Sequence, residues 1–229
     1  MSDEQNEEQS NARLGEQLGE QPGEQLDREG SEQPAGLSDE QNGELFEVLD
    51  REGRYLGIMQ RAQVHRTGQW HRSVHVFLFD AEGRLWIQRR AATKDLFPNR
   101  WDLSVGEHLR AGESFARGAL RGLAEELGLP AVLLEPLGGT RTYCFDDTER
   151  GIHDHELQQT FRATWSGTPE ADGVEVAALA CVDAATLAEW IARAPQEFTP
   201  WFLHELAQRP GLGNFAAAMN GHHEPREND

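Results

Sequence analysis

At 229 residues the chain has room for one domain of ordinary size with appendages. Its net charge of −19 divides unevenly: the first 43 residues carry 12 acidic against two basic side chains, and the remainder stays at −9, which argues against nucleic-acid binding through a broad basic surface. The acidic N-terminus is unlike a secretory signal, no apolar run approaches the ~20 residues of a membrane span, and Cys144 and Cys181 are too few for a disulfide framework or zinc site. A cytoplasmic protein is expected, without membrane or nucleic-acid partners and with its oligomeric state open.

Residues 1–43 repeat short polar phrases such as SDEQN and GEQ, and hold too little apolar surface to offset the entropy of ordering. They read as a disordered acidic tail. From Leu45 the pattern turns to short strands: LFEVLD and RYLGIM flank the turn Arg51-Glu52-Gly53, and SVHVFLFD and LWIQRR flank AEGR, each pair predicting a hairpin. Asp102 to Val105 reads as a short strand. Beyond Pro130 the segments VLLEPLGGT, RTYCF, ELQQTFRATW and VEVAALACV read as strands, with DDTERGIHDH as a polar loop. DAATLAEWIAR and FTPWFLHELAQ read as helices, and residues 209–229 as a flexible tail. The domain is therefore placed at 44–208, an α+β fold with helices on the faces of a mixed sheet.

Between the third and later strands lies GEHLRAGESFARGALRGLAEELGL, Gly106 to Leu129. Leu120, Leu123 and Leu127 recur at helical spacing, leaving Arg121, Glu125 and Glu126 toward the exposed side; Ser114 caps the helix and Gly128 with Pro130 ends it. Carboxylates one turn apart beside a loop carbonyl suit a magnesium ion at a diphosphate, where oxygen charge must be neutralised during attack.

This stretch resembles the Nudix signature. Glu113, Arg121, Leu123, Glu125, Glu126, Gly128 and Leu129 occupy its places; Glu107 stands for the opening Gly, and Gly122 for the Glu after the Arg. The resemblance implies a Nudix α/β/α sandwich with a central mixed sheet. It further implies a Mg2+ ion, with Mn2+ as an alternative, on Gly106, Glu125 and Glu126, with Arg121 orienting the glutamates. The missing Glu at 122 moves the expected base to a later loop, where Glu156 serves as base or further metal ligand. Gly122 also costs helix stability, roughly 1 kcal/mol relative to Ala, with no benefit visible in the sequence.

WHRSVHVFLF, QRRAATKDLFPNRWD, SVGEH and HDHEL are similar to the branch that contains type I isopentenyl-diphosphate isomerases. That likeness implies a diphosphate-binding pair at Arg90 and Lys94, and a second metal among His71, His108, Asp154 and Glu156, with His65 matching only loosely because its spacing is off by one. The branch's protonating Cys falls at Gly106. The expected activity is magnesium-dependent hydrolysis of a diphosphate linkage in a small, nucleoside-diphosphate-like substrate. Isopentenyl-diphosphate isomerisation and a non-catalytic diphosphate-binding module are the alternatives.

Overall fold

A ten-residue strand, β3 (Trp70–Phe79), forms the spine of a ten-stranded mixed sheet. We describe it from a computed structural model covering residues 43–216; the expected acidic tail and the last 13 residues of the expected C-terminal tail lie outside the described residues, apart from Gly43. Along one edge β3 pairs in parallel with β9 (Ile152–Thr164) from Trp70↔His155 to Phe79↔Thr164. Along the other edge it meets three short antiparallel partners in turn: β1 (Leu45–Leu49) at Trp70, β6 (Val105–His108) at Ser73 to Val76, and β4 (Leu85–Arg90) at Leu78 and Phe79. β2 (Tyr55–Gln60) extends the sheet beside β1, β5 (Trp101–Asp102) pairs with β4, and β10 (Val176–Val182) covers the other edge of β4. β7 (Leu134–Pro136) and β8 (Arg141–Asp147) both pair with β9.

Because successive strand residues face opposite sides, β3 feeds two cores. Val74, Val76 and Leu78 pack with Val105 and Leu109 against Ala119, Leu123 and Leu127 of α2 (Phe115–Leu127). Phe77 and Phe79 pack with Leu85, Ile87 and Leu103 against α3 (Ala184–Arg193) and α4 (Pro200–Gln208). The result is the expected α/β/α sandwich. A further helix, α1 (Arg61–Thr67), absent from the sequence reading, ends on Gly68 in the left-handed region at φ 63° and turns the chain into β3.

Three expectations change. DDTERGIHDH is not a polar loop: it supplies the end of β8, a turn and the start of β9, with Asp147↔Ile152 closing the hairpin. Glu126 is turned inward rather than toward solvent, while Leu120 is only half-buried. The packed chain also continues past Gln208, with Arg209, Leu212 and Phe215 buried.

Arg209 is fixed by charge rather than by apolar contact. Its guanidinium donates to both carboxylate oxygens of Glu205 at 2.8 and 3.2 Å and to the Leu137 carbonyl at 2.9 Å, and Glu205 also accepts from Thr160 at 2.7 Å. Removing one partner strands a buried charge, so Arg209→Ala is expected to cost about 3–5 kcal/mol in urea unfolding, and the double change Glu205→Met/Arg209→Met distinctly less.

Candidate functional site

The strand alternation that builds the second core brings His71, Ser73 and His75 onto one face of β3, and the parallel register sets Glu156, Gln158 and Thr160 of β9 beside them. Antiparallel pairing adds His108 of β6 opposite Ser73 and Gly106 opposite His75. α1 contributes His65 from above. Its helical placement, followed by the Gly68 turn, explains why the His65-to-His71 spacing is irregular as a sequence pattern.

His65, His71, His108 and Asp154 each offer a ligand atom within 4.8 Å of the others. The Asp154 Oδ1 lies 3.2, 3.7 and 3.9 Å from the Nε2 atoms of His71, His65 and His108, and Glu156 lies 3.2 Å from His108. His71 Nδ1 donates to the Gln69 carbonyl at 3.0 Å, which turns its Nε2 toward the Asp154 carboxylate. His65 Nε2, His71 Nε2 and Asp154 Oδ1 are buried without a hydrogen-bond partner among the described residues. Without a metal, the proton on His108 offsets the carboxylates of Asp154 and Glu156; once it leaves, imidazole nitrogens and carboxylate oxygens gathered this closely fit a divalent metal. Three imidazoles with carboxylates suit a first-row transition ion better than magnesium, which prefers oxygen donors.

The electrostatics agree with that fit. Burial, aided by His108, pushes the His65 imidazole down to about 2 and keeps it neutral. Burial opposes charge on His108 too, but Asp154 and Glu156 push its imidazole up to about 10. Burial likewise works against a charged Asp154, yet His108 and His71 hold its carboxyl well below the usual range.

Across the same cavity, of about 150 Å³, stand Arg61, Arg90 and Lys94. Arg90 donates to Asp102 at 3.2 Å and to the Leu96 carbonyl at 3.1 Å, with its guanidinium 5.2 Å from the Trp201 ring centroid; Lys94 pairs with Glu175, and Arg61 with Asp95. The expected clamp residues Arg90 and Lys94 thus share one cavity with the metal-type cluster. Arg61 went unnoticed in the sequence because its helix was not read.

Arg121 organises the loop before α2. It donates to both oxygens of Glu113 at 3.0 Å and to the His108 carbonyl at 2.9 Å, and pairs with Glu107 at 2.9 Å and Glu125 at 3.3 Å. Glu125 stays half-exposed at the cavity rim, reached also by Arg110 at 3.7 Å. Glu126 is buried and accepts from Gln88 at 2.9 Å; burial first, and then the charge of Glu107, raise its carboxyl well above the usual range.

The two departures from the signature turn out to be one feature. A Cβ at Gly122 would lie 2.4 Å from Val105 Cγ1 and 2.7 Å from Glu107 Cγ, so Gly122 leaves the space that Glu107 fills. The carboxylate missing from the helix is matched by one on the facing strand. The absence of any structural benefit, as read from the sequence, is corrected by this contact.

A mixed sheet between helices, with metal-type donors and basic side chains lining one cavity, defines the class of this protein as an α+β domain. The NUDIX domain model matches residues 69–202, and the chain belongs to that family. It is 38% identical to an isopentenyl-diphosphate Delta-isomerase of Nocardia farcinica over 161 residues, 70% of this chain and 91% of that protein. It is also 38% identical to one of Streptomyces griseus over 180 residues, 77% and 89% of the two chains. A Pseudomonas aeruginosa protein described as an uncharacterized Nudix hydrolase is 36% identical over 110 residues, 45% of this chain and 65% of that one. In fold, the chain is similar to DR0079 of Deinococcus radiodurans, with a TM-score of 0.53 at 22% identity, covering 79% of this chain and 100% of the other. Among the described residues no helix is long and apolar enough to cross a membrane.

Proposed function

We propose that this protein is a divalent-metal-dependent diphosphate hydrolase acting on a small organic diphosphate. The observation that carries the reading is the shared cavity: unpartnered donors of His65 and Asp154 line it together with Arg90 and Lys94, and His71 backs Asp154 from 3.2 Å. His65, His71, His108 and Asp154 would hold one cation, and Glu125 and Glu126, with Glu107 and the Gly106 carbonyl, would serve magnesium or manganese at the diphosphate. When bound, the cations neutralise oxygen charge on the phosphates as attack proceeds.

The remaining roles belong to the chain. Arg90 and Lys94 clamp the diphosphate, with Lys94 exchanging its pairing to Glu175 for a phosphate oxygen. Arg121 fixes Glu107, Glu113 and the loop carbonyl at His108, so that Gly106 and Glu126 keep their separation. Glu156, held by Gln158 at 2.5 Å and close to His108, accepts the proton of the attacking water as the new P–O bond forms and the bridging P–O bond breaks.

Isomerisation is the second reading, favoured by the curated relatives' names over most of their length. Against it stands Gly106, which brings no thiol or other acid to an alkene. Wild-type protein with Mn2+ is expected to release phosphate or pyrophosphate from an organic diphosphate panel and to incorporate no solvent deuterium into isopentenyl diphosphate. Deuterium incorporation without phosphate release would sink the hydrolase. Calorimetric binding with background turnover throughout the panel would make the chain a binding module.

A further inference from the structure

Beyond His71, the same face of β3 carries Ser73 and His75, which the proposed chemistry does not use. Ser73 is 2% exposed and His75 5% exposed, and both line the cavity that holds the metal-type cluster and the basic clamp. Ser73 Oγ and His75 Nδ1 have no hydrogen-bond partner among the described residues. Their neighbours in the same two rungs of the sheet are satisfied: Gln158 donates to Glu156, and Thr160 to Glu205. Of the β3–β9 pairs in these two rungs, the unmet hydrogen bonds thus fall on Ser73 and His75, the members that line the cavity.

The opposite strand leaves His75 uncovered. Gly106 pairs with it across β6, where a Cβ would be in van der Waals contact with the imidazole Cδ2 and with Leu103 Cδ1, each at 3.7 Å, so glycine places no side chain beside the ring. With glycine, that space belongs to whatever enters the cavity. A hydrocarbon tail in it would bury a hydroxyl and a ring nitrogen with nothing to bond, whereas a hydroxyl-bearing group supplies both a donor and an acceptor.

We propose that Ser73 and His75 form a polar subsite that selects a hydroxyl-bearing organic group on the diphosphate substrate, in place of a purely hydrocarbon one. This assignment rests on the diphosphate reading of the cavity and narrows its substrate class.

The test is calorimetry on the full chain with Mn2+, using inorganic pyrophosphate, isopentenyl diphosphate and its hydrate, 3-hydroxy-3-methylbutyl diphosphate. The last two differ by one added water across the alkene. Wild type is expected to bind the hydrate at least ~10-fold more tightly than the alkene. Ser73→Ala and His75→Leu each reduce that ratio toward one while pyrophosphate affinity holds. His75→Asn, which keeps a polar atom near the Nδ1 position, retains part of the preference and guards against a packing artefact. Pyrophosphate binding without discrimination between the two organic probes overturns the subsite and leaves the clamp standing. Substitutions that weaken both probes equally overturn the subsite as well. Absence of pyrophosphate binding overturns the clamp and the subsite together.

Discussion

Gly122→Ala is expected to lower the melting temperature by up to roughly 8 °C, although alanine is the better helix former by about 1 kcal/mol. The added carbon would sit 2.4 Å from Val105 Cγ1 and 2.7 Å from Glu107 Cγ, distances at which something must move. Val105 is β-branched, fully buried and held in β6, so it has little freedom to yield. Overpacking of this kind costs about 1–3 kcal/mol, so the rigid Val105 places the net loss, after the propensity gain, at up to about 2 kcal/mol. The cause can be isolated by removing the two clashing atoms. Val105→Ala and Glu107→Ala each destabilise an otherwise wild-type protein, but Gly122→Ala should cost less in the Val105→Ala/Glu107→Ala background than alone. Additive losses across this cycle would show that the close approach is not what keeps residue 122 a glycine. The same geometry predicts that Gly122→Glu, which restores the signature on paper, damages folding unless Glu107 is shortened as well.

Asp154→Asn should have the largest effect on activity, lowering turnover at least ~10³-fold with a rise in the metal Kd of about 100-fold. Among the described residues Asp154 is the one carboxylate within 4 Å of all three histidine Nε2 atoms, so its neutralisation removes the charge that centres the cluster. A proton count gives an independent reading. In the metal-free protein His108 is raised to about 10 by Asp154 and Glu156, so it is protonated at pH 7; a cation entering the cluster must displace that proton. Mn2+ titrations at pH 7 in buffers of differing ionisation enthalpy are expected to report release of about one proton per ion. In Asp154→Asn the release falls along with the affinity. Wild-type binding with no proton release at pH 7 would remove His108 from the ligand set.

Much of this molecule was legible in its residues. The hairpin at Arg51-Glu52-Gly53, the Ser114 cap and the Gly128 stop follow from local chemistry that few contexts override, and all three recur in the structure. Arg90, Lys94, His71, His108, Asp154 and Glu156 could be named because their spacing matches a known branch. What remained hidden depends on contacts distant in sequence. Glu126 reads as a surface acid on α2 until β4 brings Gln88 to it. IHDH reads as loop because polar residues dominate it, yet it extends the alternation of ELQQTF as one strand whose inward residues here are the acids Asp154 and Glu156. Glu107 and Gly122, 15 positions apart, look like two independent losses until β6 is laid against α2. Ser73 and His75 were within reach: they repeat at the strand period from His71, and the hydrophobic residues of SVHVFLFD drew attention from them.

The parallel seam between β3 and β9 also bears on how the protein reaches its active form. Its partners lie some 85 positions apart, so the seam closes late relative to the local hairpins. A slip of one residue along it would turn Asp154 and Glu156 to the opposite face from His71 and disperse the donors. Metal affinity is thereby tied to correct strand registry. An ion held at 100 times its Kd would favour the aligned pairing over a donorless one by about 2.7 kcal/mol. The cation would then act as a proofreader of the fold before it takes part in any reaction.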